Sequence, residues 1–342
     1  MLRLSALGDV CNAVATARAL RRRYPDSRLT WIIGKPAARL AAALPGIEFV
    51  VFDKRRGPGE LVRLRRALRG SGFDVLLHMQ VSARANLVAA TVRADRRIGF
   101  DRQRAREGHG LVVDERIPAV PFQHQAEALW AFAGALGAEV QAGDRPPPIR
   151  DADRAFAREQ QPEAGRAVLI SPCSSHPKRN WRPERYAEVA DRVIETMGRP
   201  VILVGGPSPV ERATGDAIVA AMRGTPVDLI GKDTLGQSLA MLERAACLVA
   251  PDSGPVHFAA ALGTPVVGLY AATWARRSGP LGSIEHCVDR FPDAARRFLG
   301  RDPEHVTWGK RIEVDGVMDL VAVDDVIERL EEALASPHAA GR

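Results

Sequence analysis

The stretch Ala250–Pro265, APDSGPVHFAAALGTP, sets an acid, a hydroxyl, a glycine and a histidine where the apolar run 245–249 passes into a small-residue helix. A buried strand that turns into a helix through Asp252, Ser253 and Gly254 offers free N–H groups and the positive end of a helix dipole to an anion such as a diphosphate. Gly254 permits close backbone approach, while Ala259, Ala260 and Ala261 let the helix lie near its sheet and Gly263 ends it. His257 stands one turn in, where it either touches a phosphate or fills space. Asp252 or Ser253 also has a purely structural reading as the helix N-cap, and from these residues alone both readings stand.

Outward from this stretch, short apolar runs alternate with helical patterns. Residues 1–135 read LRLSAL, DVCNAVATARALRRRY, LTWIIG, AARLAAAL, EFVVFD, ELVRLRRALRG, FDVLLHMQ, ARANLVAATVRA and, last, the helical AEALWAFAGALG. After a Pro-rich, charged segment, QAGDRPPPIRDADR, the alternation restarts with RAVLISP and continues through PVILVGGP, VDLIGK and CLVAPD to PVVGLYA. Such alternation is the signature of βαβ units around a parallel sheet, and its restart marks two of them. The expected division is 1–155 and 156–342. Residues 323–335, VDDVIERLEEALA, predict a closing amphipathic helix with Val326, Ile327, Leu330 and Leu334 on one face. Neither G-x-G-x-x-G after a strand nor G-x-x-x-x-G-K-[ST] is present, so a dinucleotide fingerprint and a P-loop are both excluded.

The bulk composition agrees with two globular domains of ~150 residues each. Of 342 residues, 46% are hydrophobic and 26% charged, ordinary for a folded soluble chain. No apolar run approaches the ~18 residues of a spanning helix and no secretory leader is read at the start, so a cytoplasmic protein is expected. Cys11, Cys173, Cys247 and Cys287 are far apart, without metal or redox spacing, and no metal site is expected. The net charge of +7 is unevenly placed: residues 1–150 hold 25 Lys/Arg against 14 Asp/Glu, and residues 151–342 hold 23 against 27. A basic first half favours an anionic partner, whether nucleic acid, acidic lipid or phosphorylated glycan, although surface arginines also serve solubility alone.

Three further groups carry candidate chemistry. In ISPCSSHPKRNWRPERYAEVA (170–190), Ser174 and Ser175 precede Lys178 and Arg179 in a loop before a helix starting near Pro183. Cations there suit the anion at Asp252–His257, or form a solvated basic loop. Glu211 follows VILVGGPSP at the start of another helix and suits ribose hydroxyls or simply the helix dipole. In LSALGDV, Gly8 and Asp9 stand where the first strand turns into the first helix; Asp9 is either a helix cap or, if the two domains face one cleft, a general base opposite a leaving group.

With these motifs in place, the chain resembles glycosyltransferase family 9, the lipopolysaccharide heptosyltransferases, over nearly its whole length. The resemblance is carried by SALGDV, PDSRLTWIIG, FDVLLHMQ, IGFDRQRARE, KRNWRPERYAEVA, LVGGPSPVE and APDSGPVHFAAALGTPVVGLY, in that order. It implies a GT-B fold: an α/β molecule of two Rossmann-like doubly wound domains facing an interdomain cleft, the first for acceptor, the second for nucleotide sugar, with the final helix packing back toward the first. It implies inverting, metal-independent transfer of heptose from ADP-heptose, with no cofactor. Asp9 looks like the catalytic base. Ser174, Ser175 and Lys178 look like diphosphate ligands, Glu211 the ribose contact, and Thr234 with Leu235 the adenine pocket. Asp252 looks like the holder of the sugar hydroxyls, and Ser253, Gly254 and His257 the lining of the phosphate cradle. The family's basic residue usually lies two positions before the tryptophan, where Arg179 stands here, so Lys178 and Arg179 share that assignment.

The implied acceptor is the anionic inner core of lipopolysaccharide, either Kdo or an attached first heptose. Gln80, Arg55, Arg56, Arg97, Arg102 and Arg106 are the candidates for binding it. A monomer peripheral to the inner membrane face is expected, without nucleic acid, since the arginine runs lack the interleaved aromatics of a single-strand binder. Three alternatives share the architecture: a GT-B nucleotide-sugar epimerase, a family 9 transferase using a different nucleotide sugar, and a non-catalytic glycan-binding relative.

Overall fold

A computed structural model describes residues 1–335, which divide into two compact units, Met1–Pro148 and Ile149 onward. The first unit contains α1 (Leu7–Arg23), β1 (Leu29–Gly34), α2 (Lys35–Ala41), β2 (Ile47–Phe52), α3 (Gly59–Ala67), β3 (Phe73–Leu77), α4 (Ala83–Thr91), β4 (Ala94–Gly99), β5 (Glu115–Arg116) and α5 (Gln125–Gly134). All its strand pairs are parallel. The first residues join the two strand groups, because Ile32 N–H donates to the Met1 carbonyl (2.9 Å) and Leu2 N–H to the Leu77 carbonyl (2.8 Å). The spatial order is therefore β2, β1, the opening residues, β3, β4, β5, a doubly wound order with its reversal between the opening residues and β3. Trp31, Ile32 and Ile33 of β1 are all buried, as a strand covered on both faces requires. Gly34 closes that strand because a Cβ there would lie 2.2 Å from the Leu4 carbonyl oxygen.

The second unit contains α6 (Asp151–Gln160), β6 (Val168–Ile170), α7 (Pro183–Glu195), β7 (Val201–Leu203), α8 (Pro209–Ala221), β8 (Val227–Asp228), α9 (Leu235–Arg244), β9 (Cys247–Pro251), α10 (Gly254–Leu262), β10 (Val266–Tyr270), α11 (Ala275–Ser278), β11 (Val288–Asp289), α12 (Phe291–Ala294) and α13 (Val323–Ala335). Its parallel sheet runs β11-β10-β9-β6-β7-β8, the same order, with its reversal between β6 and β9. The expected division at 155/156 falls inside α6, whereas the contacts divide the chain at 148/149. The reason is that α6 packs on α9, with Arg154 paired to Glu243 at 2.8 Å.

Strands β4 and β5 were not foreseen as separate elements. β4 reads ADRRIG, and its exposed Asp95 and Arg96 hide the apolar pattern that marks the other strands. α13 spans the expected residues: Val326 and Leu330 are fully buried, and Ile327 and Leu334 pack partly buried against the same core. It docks on β9, β10, β11 and α7 within the second unit. All four cysteines are buried, and among the described residues none is in a disulfide.

Candidate active site

Open parallel sheets bind ligands beyond the carboxyl ends of their strands, at the point where strand order reverses. In the second unit that point lies between the loop after β6, which carries Ser174 to Arg179, and the loop after β9, which carries Asp252 to Gly254. The two loops meet. Arg179 Nη1 lies 3.7 Å from Asp252 Oδ2, with the two side chains 9% and 12% exposed.

Ser253 occupies the N-cap position of α10, yet its hydroxyl makes no cap hydrogen bond. That oxygen is buried and has no hydrogen-bond partner among the described residues. An ordinary cap would be satisfied by the helix itself, and a buried polar group left unpaired calls for another explanation. α10 begins at Gly254 with Pro255 in its first turn and ends at Gly263 with φ +80, so its N-terminal N–H groups point at the loop that holds Ser253. His257 is half-buried one turn further on.

The loop after β6 is held open by its own polar contacts. Ser174 N–H donates to Asn180 Oδ1 (2.7 Å) and Ser174 Oγ donates to the His176 carbonyl (2.9 Å), while Ser175 is exposed. Arg179 donates from Nε (2.8 Å) and Nη2 (2.5 Å) to Glu313 Oε1. Burial alone would raise the Glu313 carboxyl, but the hydrogen bonds and charge of Arg179, with His176 and Arg311 nearby, hold it below its ordinary value. Lys178 pairs instead with the exposed Asp315. Of the two candidate cations, Arg179 is therefore the buried one beside Asp252.

Glu211 sits in the first turn of α8. Its carboxylate accepts from Gly206 N–H (2.8 Å) and Ser208 Oγ (2.6 Å), closing the loop after β7. A Cβ on Gly206 would come within 2.9 Å of Glu211 Oε2, so a larger residue there would displace the Glu211 carboxylate from this position. Thr234 caps α9 through Gln237 N–H (3.3 Å), is exposed, and is followed by the half-buried Leu235. Beside it, burial pushes the Asp233 carboxyl up to about 6.

In the first unit the reversal point holds Asp9 and Gln80. Asp9, 12% exposed, is gripped by Arg3 and by Gln125 and accepts from Ala6 N–H (3.4 Å). Gln80 Oε1 accepts from Leu4 N–H (2.7 Å) and Ser5 N–H (3.3 Å), and its amide donates to Ser5 and Ser82 hydroxyls. Gln80 thus shapes the turn that presents Asp9. Among the candidate arginines, Arg55, Arg56, Arg102 and Arg106 are exposed, and Arg56 lies 4.0 Å from Glu60. Arg97 spends its guanidinium on the Val92 (2.8 Å) and Ala89 (3.4 Å) carbonyls at the end of α4, a capping duty.

Four contributors were not foreseen: Arg3 and Gln125 around Asp9, Asn180 within the β6 loop, and Glu313 on Arg179. Only Arg3 and Asn180 lie near a recognised motif; Gln125 and Glu313 reach theirs from 116 and 134 residues away, and no local pattern announces them. Among the described residues no group of three or more His, Cys, Asp or Glu is arranged to hold a metal ion.

Comparison with known proteins agrees with this architecture. The profile of glycosyltransferase family 9 (heptosyltransferase) matches residues 61–297. The chain is 32% identical over 332 residues to the lipopolysaccharide core heptosyltransferase OpsX of Haemophilus influenzae, covering 97% of this chain and 95% of that one. Its fold is similar to that of a family 9 glycosyl transferase from Veillonella parvula, with a TM-score of 0.78 at 21% identity over 97% of this chain and 96% of the other. It is also similar to E. coli heptosyltransferase WaaC, solved with ADP, with a TM-score of 0.70 at 18% identity over 97% and 98% of the two chains. Two doubly wound units, an anion-suited reversal point in the second and a matching profile across most of the sequence lead to one conclusion: this chain is an enzyme of glycosyltransferase family 9, with the GT-B fold.

Proposed function

We propose that the enzyme transfers heptose from ADP-heptose to the inner core of lipopolysaccharide, at Kdo or a first heptose, with inversion and without a metal. The observation that carries the donor half is Ser253: a hydroxyl buried at a helix N-terminus with no partner among the described residues, beside Arg179 and Asp252. A diphosphate supplies the acceptor oxygens such a group lacks, and the α10 N-terminus and Arg179 supply the positive field. Ser174, Ser175, Lys178, Gly254 and His257 complete the phosphate surroundings, Glu211 takes the ribose, and Thr234 with Leu235 borders the adenine. The names of the relatives support this donor and acceptor, since OpsX is a lipopolysaccharide core heptosyltransferase and WaaC was solved with ADP.

In this reading Asp9 accepts the proton of the acceptor hydroxyl as that oxygen attacks the anomeric carbon. The bond from that carbon to the diphosphate oxygen breaks, and its electron pair leaves on ADP. Arg3 and Gln125 hold the Asp9 carboxylate in one orientation, so little reorganisation accompanies proton transfer. Asp252 orients the sugar through its hydroxyls. Arg55, Arg56, Arg102 and Arg106 meet the acceptor's carboxylates and phosphates, and a monomer works at the inner membrane face.

The test is incubation of the purified protein with ADP-heptose, with and without a Kdo-bearing lipid acceptor. Release of ADP that depends on the acceptor is expected. Conversion of the donor sugar without acceptor would instead identify an epimerase, and no reaction in either arm would remove the assignment.

A further inference from the structure

The first unit carries a surface that the transfer reaction does not use. α3 and α4 pack side by side over one hydrophobic cluster that includes Leu64 of α3, Leu68 just past its end, and Ala85, Val88 and Ala89 of α4. With those faces buried, the outward stripe of α3 is Val62, Arg65 and Arg66, continued by the exposed Arg69 in the turn after it, and that of α4 includes Arg84 and Leu87. The loop after β4 adjoins them. Glu107 accepts from Ala83 N–H at the start of α4 (2.6 Å) and Asn86 donates to the Glu107 carbonyl (2.8 Å), while Val112 packs into the same cluster.

Three aliphatic side chains stand out on this face: Val62 at 53%, Leu87 at 58% and Leu111 at 90% exposure. On the two helices the exposed charge is of one sign, while the exposed acids Glu107 and Asp114 lie in the loop that carries Leu111. Residues 59–69 contain four Arg and one acid, Glu60, whose side chain is 0% exposed and paired to Arg63. Among the described residues, Arg65, Arg66, Arg69 and Arg84 form no ion pair. Guanidinium groups left without carboxylates, interspersed with exposed aliphatic tips, match an anionic bilayer surface: headgroup phosphates take the arginines and the acyl boundary takes Val62, Leu87 and Leu111. A single-strand nucleic acid would call for aromatic platforms, and the exposed apolar groups here are aliphatic. No described helix is long and apolar enough to cross a membrane, so contact through such a face is peripheral.

We propose that the outer face of α3 and α4, with Leu111, docks this protein on an anionic lipid surface. The proposal assigns a surface to the membrane contact of the functional reading above, yet it stands on the exposed residues and is tested without turnover. The full chain is sedimented with vesicles of phosphatidylcholine alone and with vesicles containing phosphatidylglycerol. Binding only to the anionic vesicles, weakening as salt is raised, is expected. Arg65→Glu combined with Arg66→Glu and Arg69→Glu should lower the partition by more than about tenfold, and Leu87→Ser with Leu111→Ser should lower it at unchanged charge. Unaltered melting temperatures and unaltered turnover on a soluble, delipidated acceptor keep loss of docking distinct from loss of fold or of chemistry. Absence of binding to anionic vesicles, equal binding by the variants, or retention of single-stranded oligonucleotide in place of vesicles would overturn it. Failure of ADP-heptose transfer with intact vesicle binding would sink the functional reading and leave the docking surface standing.

Discussion

Asp9 shows how much a single carboxylate depends on what surrounds it. At its position in α1 it could serve only as a helix-end acid, and its contact with Ala6 N–H is of that kind. Arg3 and Gln125 on its two oxygens go further, orienting a group that an N-terminal acid would not need to have oriented. We expect Asp9→Asn to lower turnover by ~100-fold or more, the scale for losing a general base. ADP affinity, measured by calorimetry, should stay unchanged because the proposed donor residues belong to the other unit. A variant with full turnover would remove Asp9 from the mechanism. Ser253 makes the complementary point: its type and position suit a cap, yet its hydroxyl caps nothing.

Among elements, the end of β3 is tied to α4 and to the loop after β4 by a buried polar cluster. Asn86 Oδ1 meets His78 Nε2 (2.8 Å) and His109 Nδ1 (3.2 Å), and His109 Nε2 accepts from Phe100 N–H (3.0 Å). Burial above all pushes both imidazoles down from 6.5 to about 4, helped by the neighbouring histidine and arginines. The folded chain therefore refuses protons that the unfolded chain accepts below 6.5. Stability should be complete above that value and decline as the pH falls from 6.5 toward 4, beyond which these groups add no further loss. Urea midpoints across that window should fall less steeply when His78→Gln and His109→Gln are combined; an identical slope would show that the pair is not responsible.

At the scale of the whole molecule, two units of the same strand order each place their candidate site residues at a reversal point. The charges differ: the first half carries the excess of arginine, and the second the buried cation and helix N-terminus suited to a departing diphosphate. If Arg179 and the backbone N–H groups of α10 receive that charge as proposed, turnover should survive EDTA. A requirement for added divalent cation would contradict the proposed departure of ADP.

Much of this was legible from one dimension. Apolar runs alternating with 3.6-residue periodicity announced the parallel sheets, and α13 was read to its ends because its buried face is written in local spacing. Asp9, Arg179 and Asp252 were singled out as candidates because each lies where a strand gives way to a helix. Long-range geometry was not legible. Gln125 reaches Asp9, Glu313 reaches Arg179 and α6 joins the second unit through contacts between residues far apart in the chain. Local periodicity records which face of an element must be buried, and so the sequence by itself determined most of the elements and their class, missing those, like β4 and β5, whose apolar pattern is hidden or too short. Which distant side chains meet at a site depends on how those faces are stacked, and only the tertiary structure decided that.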